Sequence, residues 1–208
     1  MSDESTATMM TVVLTTASLL PFYLLGAFPT GHLIARRRGV AIEKHGSGNV
    51  GATNVLRTLG KKAGALTFGG DFLKGALAVL CGLALGGESY GAYAGTAAVL
   101  GHCFSIPKRL KGGKGVATAF GVFAIAVPWA ALGAFGAFLV TLKLGKMVSL
   151  ASIVGALTAP VLGILSGASD SILPQLGAIA LIVVWRHRPN IQRIVEGREP
   201  RIGSAASP

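Results

Sequence analysis

Along the chain, long apolar runs alternate with short polar interruptions. Residues 9–35 form the first run, broken at Pro21 and Pro29, and Arg36-Arg37-Arg38 ends it. It is long enough to cross a bilayer, with kinks that neighbouring helices must satisfy. Residues 39–62 are polar, with a dense Gly/Ser/Asn/Thr core. A second run, 63–86, carries Asp71 and Lys74 in its first half; Gly87-Glu88-Ser89 predicts a turn, and 91–106 is the third run. Pro107-Lys108-Arg109-Leu110-Lys111 leads into a glycine-lysine loop. Residues 116–142 read as one helix of about 40 Å or as two short helices broken at Pro128-Trp129. Spans over 147–165 and 172–185 follow, with a turn at 167–171, and a basic tail begins at Arg186.

Charge chooses between the two readings of 116–142. Lys111 and Lys114 flank one end, Lys143 and Lys146 the other, and the positive-inside tendency places both ends in the cytoplasm. A hairpin is then required. The result is an all-α, multi-pass membrane helix bundle of about seven transmembrane helices, some short, with the N-terminus outside and the C-terminus cytoplasmic. In that topology every Lys and Arg except Lys74 lies in a cytoplasmic segment, and Lys74 lies inside a span. The outer side holds Asp3, Glu4, Glu88 and Asp170 and no basic residue. The chain reads as one domain, 1–208, with flexible tails at about 1–8 and 204–208.

Composition agrees. Of 208 residues, 51% are apolar and only 13% charged, about half the charged share of a soluble domain. A net charge of +11 would suggest nucleic acid in a soluble protein. Here the charges sit between apolar runs, so inner-leaflet lipid and small anionic substrates are the expected partners, not nucleic acid. Cys81 and Cys103 are expected at different depths, which disfavours a disulfide. No metal-ligand spacing is present.

Three polar clusters remain, and the topology puts all three on one face. The first is His45-Gly46-Ser47-Gly48-Asn49-Val50-Gly51-Ala52-Thr53-Asn54-Val55-Leu56-Arg57. Its glycines allow tight turns, Ser47, Asn49, Thr53 and Asn54 offer hydrogen bonds, and Arg57 can grip a phosphate with two. A capped loop would need one such residue rather than four. The second runs from Gly101-His102 to Gly112-Gly113-Lys114-Gly115-Val116-Ala117-Thr118. It is either a phosphate cradle, with backbone N–H groups and a helix N-terminus converging on an anion, or a basic loop that only fixes topology. The third is Arg186-His187-Arg188-Pro189-Asn190-Ile191 through Glu199. His187, between two arginines, is disfavoured from taking a second proton. Asp71 and Lys74 share a helix face, as a structural ion pair or as part of the site. His102 ends the third span, as an interfacial hydrogen-bonder or a base. There is no carboxylate pair for glycoside hydrolysis and no G-x-S-x-G elbow.

These residues resemble the bacterial acyl-phosphate-dependent glycerol-3-phosphate acyltransferase family of integral membrane enzymes. The first family motif is similar to Gly46-Ser47-Gly48-Asn49 through Arg57. The second is similar to Gly101-His102-Cys103-Phe104 through Thr118. The third is similar to Arg186-His187 with Asn190-Ile191, Arg193, Gly197 and Glu199. Asp71-Phe72-Leu73-Lys74-Gly75 and Val148-Ser149-Leu150-Ala151-Ser152 also look like family features, and the similarity spans about 19–203. Ser105 stands where the family often has proline, and Arg201 where lysine is common.

The resemblance implies a seven-helix fold and transfer of a fatty acyl group from acyl phosphate to the 1-hydroxyl of sn-glycerol 3-phosphate. The products are lysophosphatidic acid and inorganic phosphate, an early step of phospholipid synthesis. It implies no coenzyme A, acyl carrier protein, cofactor or metal in this step. It further implies a place in the bacterial cytoplasmic membrane, a site facing the cytoplasm, and an upstream enzyme that forms acyl phosphate. On this reading Ser47, Arg57, Lys114, Ser149, His187 and Asn190 bind phosphate groups and stabilise charge on the acyl oxygen. Gly112, Gly113, Gly115 and Thr118 supply backbone donors. Gly48, Asn49, Thr53 and Asn54 shape the pocket, Glu199 orients the basic groups, and Asp71, Lys74, His102 and Arg186 complete the substrate-binding set. The base for the glycerol hydroxyl is His187 or the substrate's own phosphate. The rival class is a transporter of phosphate or a phosphorylated metabolite. That reading would need polar groups at the midplane and on both faces.

Overall fold

The computed structural model of the chain describes residues 3–105 and 112–203. Among these residues there are helices and turns and no strand. The first apolar run is broken where its prolines require. It forms α1 (Asp3–Ser18), α2 (Leu20–Ala27) and α3 (Thr30–Arg36). Helix α1 thus begins within the stretch expected to be a tail. Phe28, ahead of Pro29, is extended at φ −56° and ψ 123°, because a following proline disfavours the helical region. A 3₁₀ turn (Ile42–Lys44) and α4 (Ala52–Leu59) fold the first polar cluster into a cap.

Helix α5 (Lys61–Cys103) is 43 residues long but is not straight. Gly86 (φ −154°, ψ 21°) and Gly87 (φ 73°, ψ −164°) leave helical geometry, and the two arms fold back on each other. A Cβ on Gly82 would lie 2.7 Å from the Gly91 Cα, so the arms touch backbone to backbone. The turn falls at the start of the predicted Gly87-Glu88-Ser89. The second arm ends at Cys103, short of the expected Ile106, which lies outside the described residues together with Pro107 through Lys111.

The ambiguous stretch resolves as a hairpin. Helix α6 (Val116–Ala126) ends at Val127, which leaves helical geometry (φ −144°, ψ 68°), and α7 (Pro128–Gly145) starts on the proline. Phe120 stacks on Phe135 at 5.4 Å, which sets the two helices antiparallel. Helix α8 (Val148–Leu165), α9 (Leu173–Arg186) and the short α10 (Arg188–Val195) complete the chain. Among the described residues four helical stretches are long and apolar enough to cross a membrane: Thr8–Arg36, Lys61–Cys103, Pro128–Gly145 and Val148–Leu165. With the α5 hairpin counted as two arms and the shorter α6 and α9 added, the seven expected segments are present.

The interior is built from small residues. Ala78, Ala94, Ala98, Ala119, Ala130, Ala131 and Ala159 are buried among Val79, Val99, Val122 and Val183. Leu85, Leu132, Leu144, Leu165 and Leu181 point outward. That inside-out arrangement suits a lipid solvent, where helix association depends on close backbone packing rather than on hiding large apolar chains from water. It also draws the helix ends close enough to bring three distant polar clusters together.

Candidate active site

Each polar cluster is first organised within itself. In the 45–57 cluster Asn54 is buried, and its amide is fully engaged. Its Oδ1 accepts the Ser47 N–H at 2.9 Å, and its Nδ2 donates to His45 O at 2.9 Å and Asn49 O at 2.8 Å. Asn49 Oδ1 accepts the Gly51 N–H at 2.8 Å. Asn49 and Asn54 therefore hold the loop in shape. Gly46 and Gly48 take the positive φ angles of 57° and 66° that such a tight loop needs. Ser47 and Arg57 are exposed, and Thr53 is half-buried in the first turn of α4.

The glycine-lysine loop is pinned on two sides. Arg186 donates from Nε to Gly113 O (3.0 Å) and from Nη2 to Gly112 O (2.8 Å), and its guanidinium lies over the Phe104 ring. On the other side the Gly113 N–H donates to His102 O at 3.0 Å. This corrects the simple cradle, since the Gly113 N–H already has a protein acceptor. Among the described residues the N–H groups of Lys114 and Gly115 meet no such acceptor. Those two, with the open first turn of α6, are the loop donors left without a protein acceptor. Thr118 is fully buried where α6 crosses α5, and a Cβ on Gly75 would meet its carbonyl at 2.1 Å. Thr118 thus contributes through helix packing. Lys111 lies outside the described residues.

The second and third clusters then join. Lys114 Nζ donates to Asn190 Oδ1 at 2.6 Å, and Asn190 Nδ2 donates to Glu199 Oε1 at 2.7 Å. The same Glu199 oxygen accepts Ser149 Oγ at 2.6 Å, while Oε2 accepts Arg193 Nε at 2.8 Å. Glu199 thereby ties together the start of α8, helix α10 and the loop. Ile202 N–H donates to Lys146 O at 2.7 Å and straps the tail across the α7–α8 turn. In the sequence Arg193 has no role beyond its place in the third motif; the fold makes it Glu199's charged partner.

Electrostatics follow from this packing. Burial lowers the Lys114 pKa to about 8; Glu199 works against that, while Arg193, Arg57 and Arg186 add to it. Arg57, on the first cluster, is thus near enough to act on the second. Burial, reinforced by the Lys114 charge, pushes His187 down to about 4, so it is neutral at pH 7. His187 Nδ1 lies 2.7 Å from Val183 O. A carbonyl only accepts, so Nδ1 carries the proton and Nε2 keeps the lone pair. Burial raises the Glu199 carboxyl, but hydrogen bonds from Ser149, Asn190 and Arg193 outweigh it and hold the group below its ordinary range.

Asp71, Lys74 and His102 gather behind the loop, with Lys74 Nζ 2.7 Å from Asp71 Oδ1. They line a cleft with His32, Gly112 and Gly113. His32 pairs with Glu43, a contact the sequence reading missed. A histidine within an apolar run was the available signal. No hydrogen bond among the described residues joins Ser47 to Lys114, His187 or Asn190.

Below the polar cluster opens an apolar groove. Phe68, Phe120, Phe123, Phe135 and Phe138 line it, and it reaches Val116, Ser152 and Val183. Val116 is two residues from Lys114, Ser152 one turn from Ser149, and Val183 one turn from His187. The site is thus a cationic shelf over a greasy slot.

Residues 16–197 match the glycerol-3-phosphate acyltransferase family. The glycerol-3-phosphate acyltransferase of Syntrophotalea carbinolica is 46% identical over 187 residues, covering 88% of this chain and 95% of that protein. That of Parasynechococcus marenigrum is 41% identical, covering 98% of this chain and 97% of that protein. Among solved structures, PlsY (YgiH), an integral membrane glycerol 3-phosphate acyltransferase, superposes in its glycerol 3-phosphate form with a TM-score of 0.86 at 40% identity. The match covers 91% of this chain and 96% of that one; the lysophosphatidic acid form gives 0.85. A greasy slot beneath a cationic shelf, motifs in order along the whole chain and a shared helical fold place this chain in the family of integral membrane glycerol-3-phosphate acyltransferases.

Proposed function

We propose that the enzyme transfers a fatty acyl group from acyl phosphate to the 1-hydroxyl of sn-glycerol 3-phosphate, releasing lysophosphatidic acid and inorganic phosphate. The observation that carries this reading is the apolar groove lined in part by Val116, Ser152 and Val183, each within about one helical turn along the chain of Lys114, Ser149 or His187. An acyl chain fits the groove, and its phosphate end then lies among cations.

Acyl phosphate is a mixed anhydride with a good leaving group, so the protein's task is to gather two anions in an attack geometry. Positioning alone can contribute roughly 7–11 kcal/mol in ideal cases. Ser47, Arg57, Lys114, Ser149 and Asn190 bind phosphate oxygens and stabilise the charge that develops on the acyl oxygen. The Lys114 and Gly115 N–H groups add donors, Arg186 fixes the loop, Glu199 aligns Lys114 through Asn190, and Gly48, Asn49, Thr53 and Asn54 shape the neighbouring wall. The glycerol oxygen attacks the acyl carbon, the bond from that carbon to the phosphate oxygen breaks, and inorganic phosphate leaves. His187 Nε2 accepts a hydrogen bond from the attacking hydroxyl. With a pKa of about 4 it is a weak base at neutral pH, so the proton passes to a substrate phosphate, which titrates near neutrality. The N-terminus faces outward, and the shelf faces the cytoplasm of a bacterial inner membrane, where an upstream enzyme supplies acyl phosphate.

The test is purified protein with radiolabelled glycerol 3-phosphate and either palmitoyl phosphate or palmitoyl-CoA. Labelled lysophosphatidate with the phosphate donor alone is expected. Equal turnover with palmitoyl-CoA would reject the donor.

A further inference from the structure

Asp71, Lys74 and His102 are 3%, 4% and 8% exposed, inside an apolar hairpin. Ionisable groups are expensive there unless partnered, and each of these is partnered in a definite direction. The Lys74 ammonium lies 2.7 Å from Asp71 Oδ1, 2.9 Å from Phe28 O and 3.3 Å from His102 Nδ1. An ammonium has three donors and no acceptor, so these three partners use all of it. His102 Nδ1 is therefore the acceptor nitrogen, and the ring proton sits on Nε2.

Nε2 lies against the glycine-lysine loop. A Cβ built on Gly113 would fall 2.1 Å from His102 Nε2, and its three nearest atoms all belong to that imidazole. Gly113 does not take a positive φ. What forbids a side chain at 113 is therefore the histidine ring and not the backbone conformation. The Gly113 N–H also donates to His102 O, while Arg186 holds the two carbonyls from the far side. The loop is clamped between an imidazole and a guanidinium. The imidazole is itself held by Lys74, which is tied to Asp71 and to the α2 end at Phe28. An ion pair serving only helix packing would end on its helix neighbours, and this one ends on the loop.

We propose that Asp71, Lys74 and His102 form a positioning unit that fixes the Gly112–Gly113 backbone, and so sets the affinity for the phosphate of glycerol 3-phosphate without touching it. The inference rests on the reading that this loop, with Lys114, receives a phosphate.

A double-mutant cycle tests it, with the Kd for glycerol 3-phosphate measured by calorimetry in detergent, where no acyl donor is needed. His102→Asn keeps an acceptor for Lys74 but empties the space beneath Gly113; Gly113→Ala pushes a methyl into the ring. Each should weaken binding roughly tenfold, and the double variant should be no more than about twofold worse than the weaker single, because the methyl then occupies the vacated space. His102→Gln, which can place an amide near the Nε2 position, should bind more tightly than His102→Asn. Unfolding temperatures within a few degrees of wild type confirm that the variants are folded; should His102→Asn not fold, His102→Ala takes its place in the cycle. Factors that multiply in the double variant, or an unchanged Kd for His102→Asn, would overturn the positioning role. If wild type does not bind glycerol 3-phosphate at all, the proposed substrate fails instead, and the same cycle read with inorganic phosphate decides the clamp.

Discussion

On the proposed mechanism Lys114 must stay charged to hold a phosphate, yet it is buried enough to lose its proton more easily than an ordinary lysine. Its pKa of about 8 puts that loss within reach of a pH titration. As pH rises through about 8 the cation disappears, so kcat/KM for glycerol 3-phosphate should fall, about tenfold per pH unit where the charge is required. Lys114→Arg cannot deprotonate in this range; whatever its absolute rate, its profile should lack that alkaline limb. Stability moves the other way. The unfolded chain keeps this proton up to the ordinary value of 10.5, so it binds more protons than the folded chain between about 8 and 10.5. Folding therefore gains stability as pH climbs through that window.

His187 gives the acid-side counterpart. Its folded pKa of about 4 lies below the ordinary 6.5. Between those values the unfolded chain binds the extra proton, so stability is lost as pH falls from about 6.5 to 4, by up to about 3 kcal/mol for a shift of this size. Glu199, held low, pushes in the same direction as its carboxylate is titrated. Unfolding temperatures in detergent between pH 7 and 4 should fall less steeply for His187→Gln than for wild type. An identical slope would remove His187 as the source.

Among the elements, glycine does two different things, and substitution separates them. Gly87 turns the α5 hairpin at φ 73° with nothing within 4 Å of a Cβ. With ψ at −164°, Gly87→Ala meets only backbone strain, roughly 1–3 kcal/mol in a region essentially confined to glycine, and should lower the unfolding temperature with activity retained. Gly121 is a contact: its Cβ would lie 2.1 Å from Phe72 O across the α5–α6 interface. Gly121→Ala must push α5 and α6 apart, and the expected outcome is loss of folded protein in detergent chromatography. Gly155 lines the groove, where a Cβ meets Ala134 O at 3.2 Å, so one carbon is nearly tolerated. Gly155→Leu should fill the slot and raise KM for palmitoyl phosphate roughly tenfold, about two buried methylenes being lost to it at about 0.8 kcal/mol each, while leaving KM for glycerol 3-phosphate alone. A rise in both constants would place the acyl chain elsewhere.

For the whole molecule, the charge segregation that set the expected topology also makes it testable. Lys44 and Asp170 are both exposed, near the site end and the opposite end of the bundle. Cys103 is buried, and Cys81 is exposed but can be replaced. In a Cys81→Ser background, Lys44→Cys should react with an impermeant maleimide only in inside-out vesicles, and Asp170→Cys only in intact cells. The reverse pattern would invert the proposed orientation.

Much of this protein is legible one segment at a time. The apolar runs, their breaks at Pro29, Gly87 and Pro128, and the hairpin required by the lysines at both ends of 116–142 depend on local chemistry. Hydropathy, proline's missing N–H and glycine's freedom act within a few residues. The chemical types in the three polar clusters were likewise visible, and so was the family they resemble. Which partner each side chain takes was not. Asn54 reads as part of the pocket wall and braces its own loop; Arg186 reads as one of the substrate-binding set and holds two carbonyls; Gly113 reads as part of a cradle and makes room for an imidazole. Those outcomes depend on residues dozens of positions apart meeting within hydrogen-bond distance. Only helices packed on alanine and glycine, closely enough to fix such distances, could decide them.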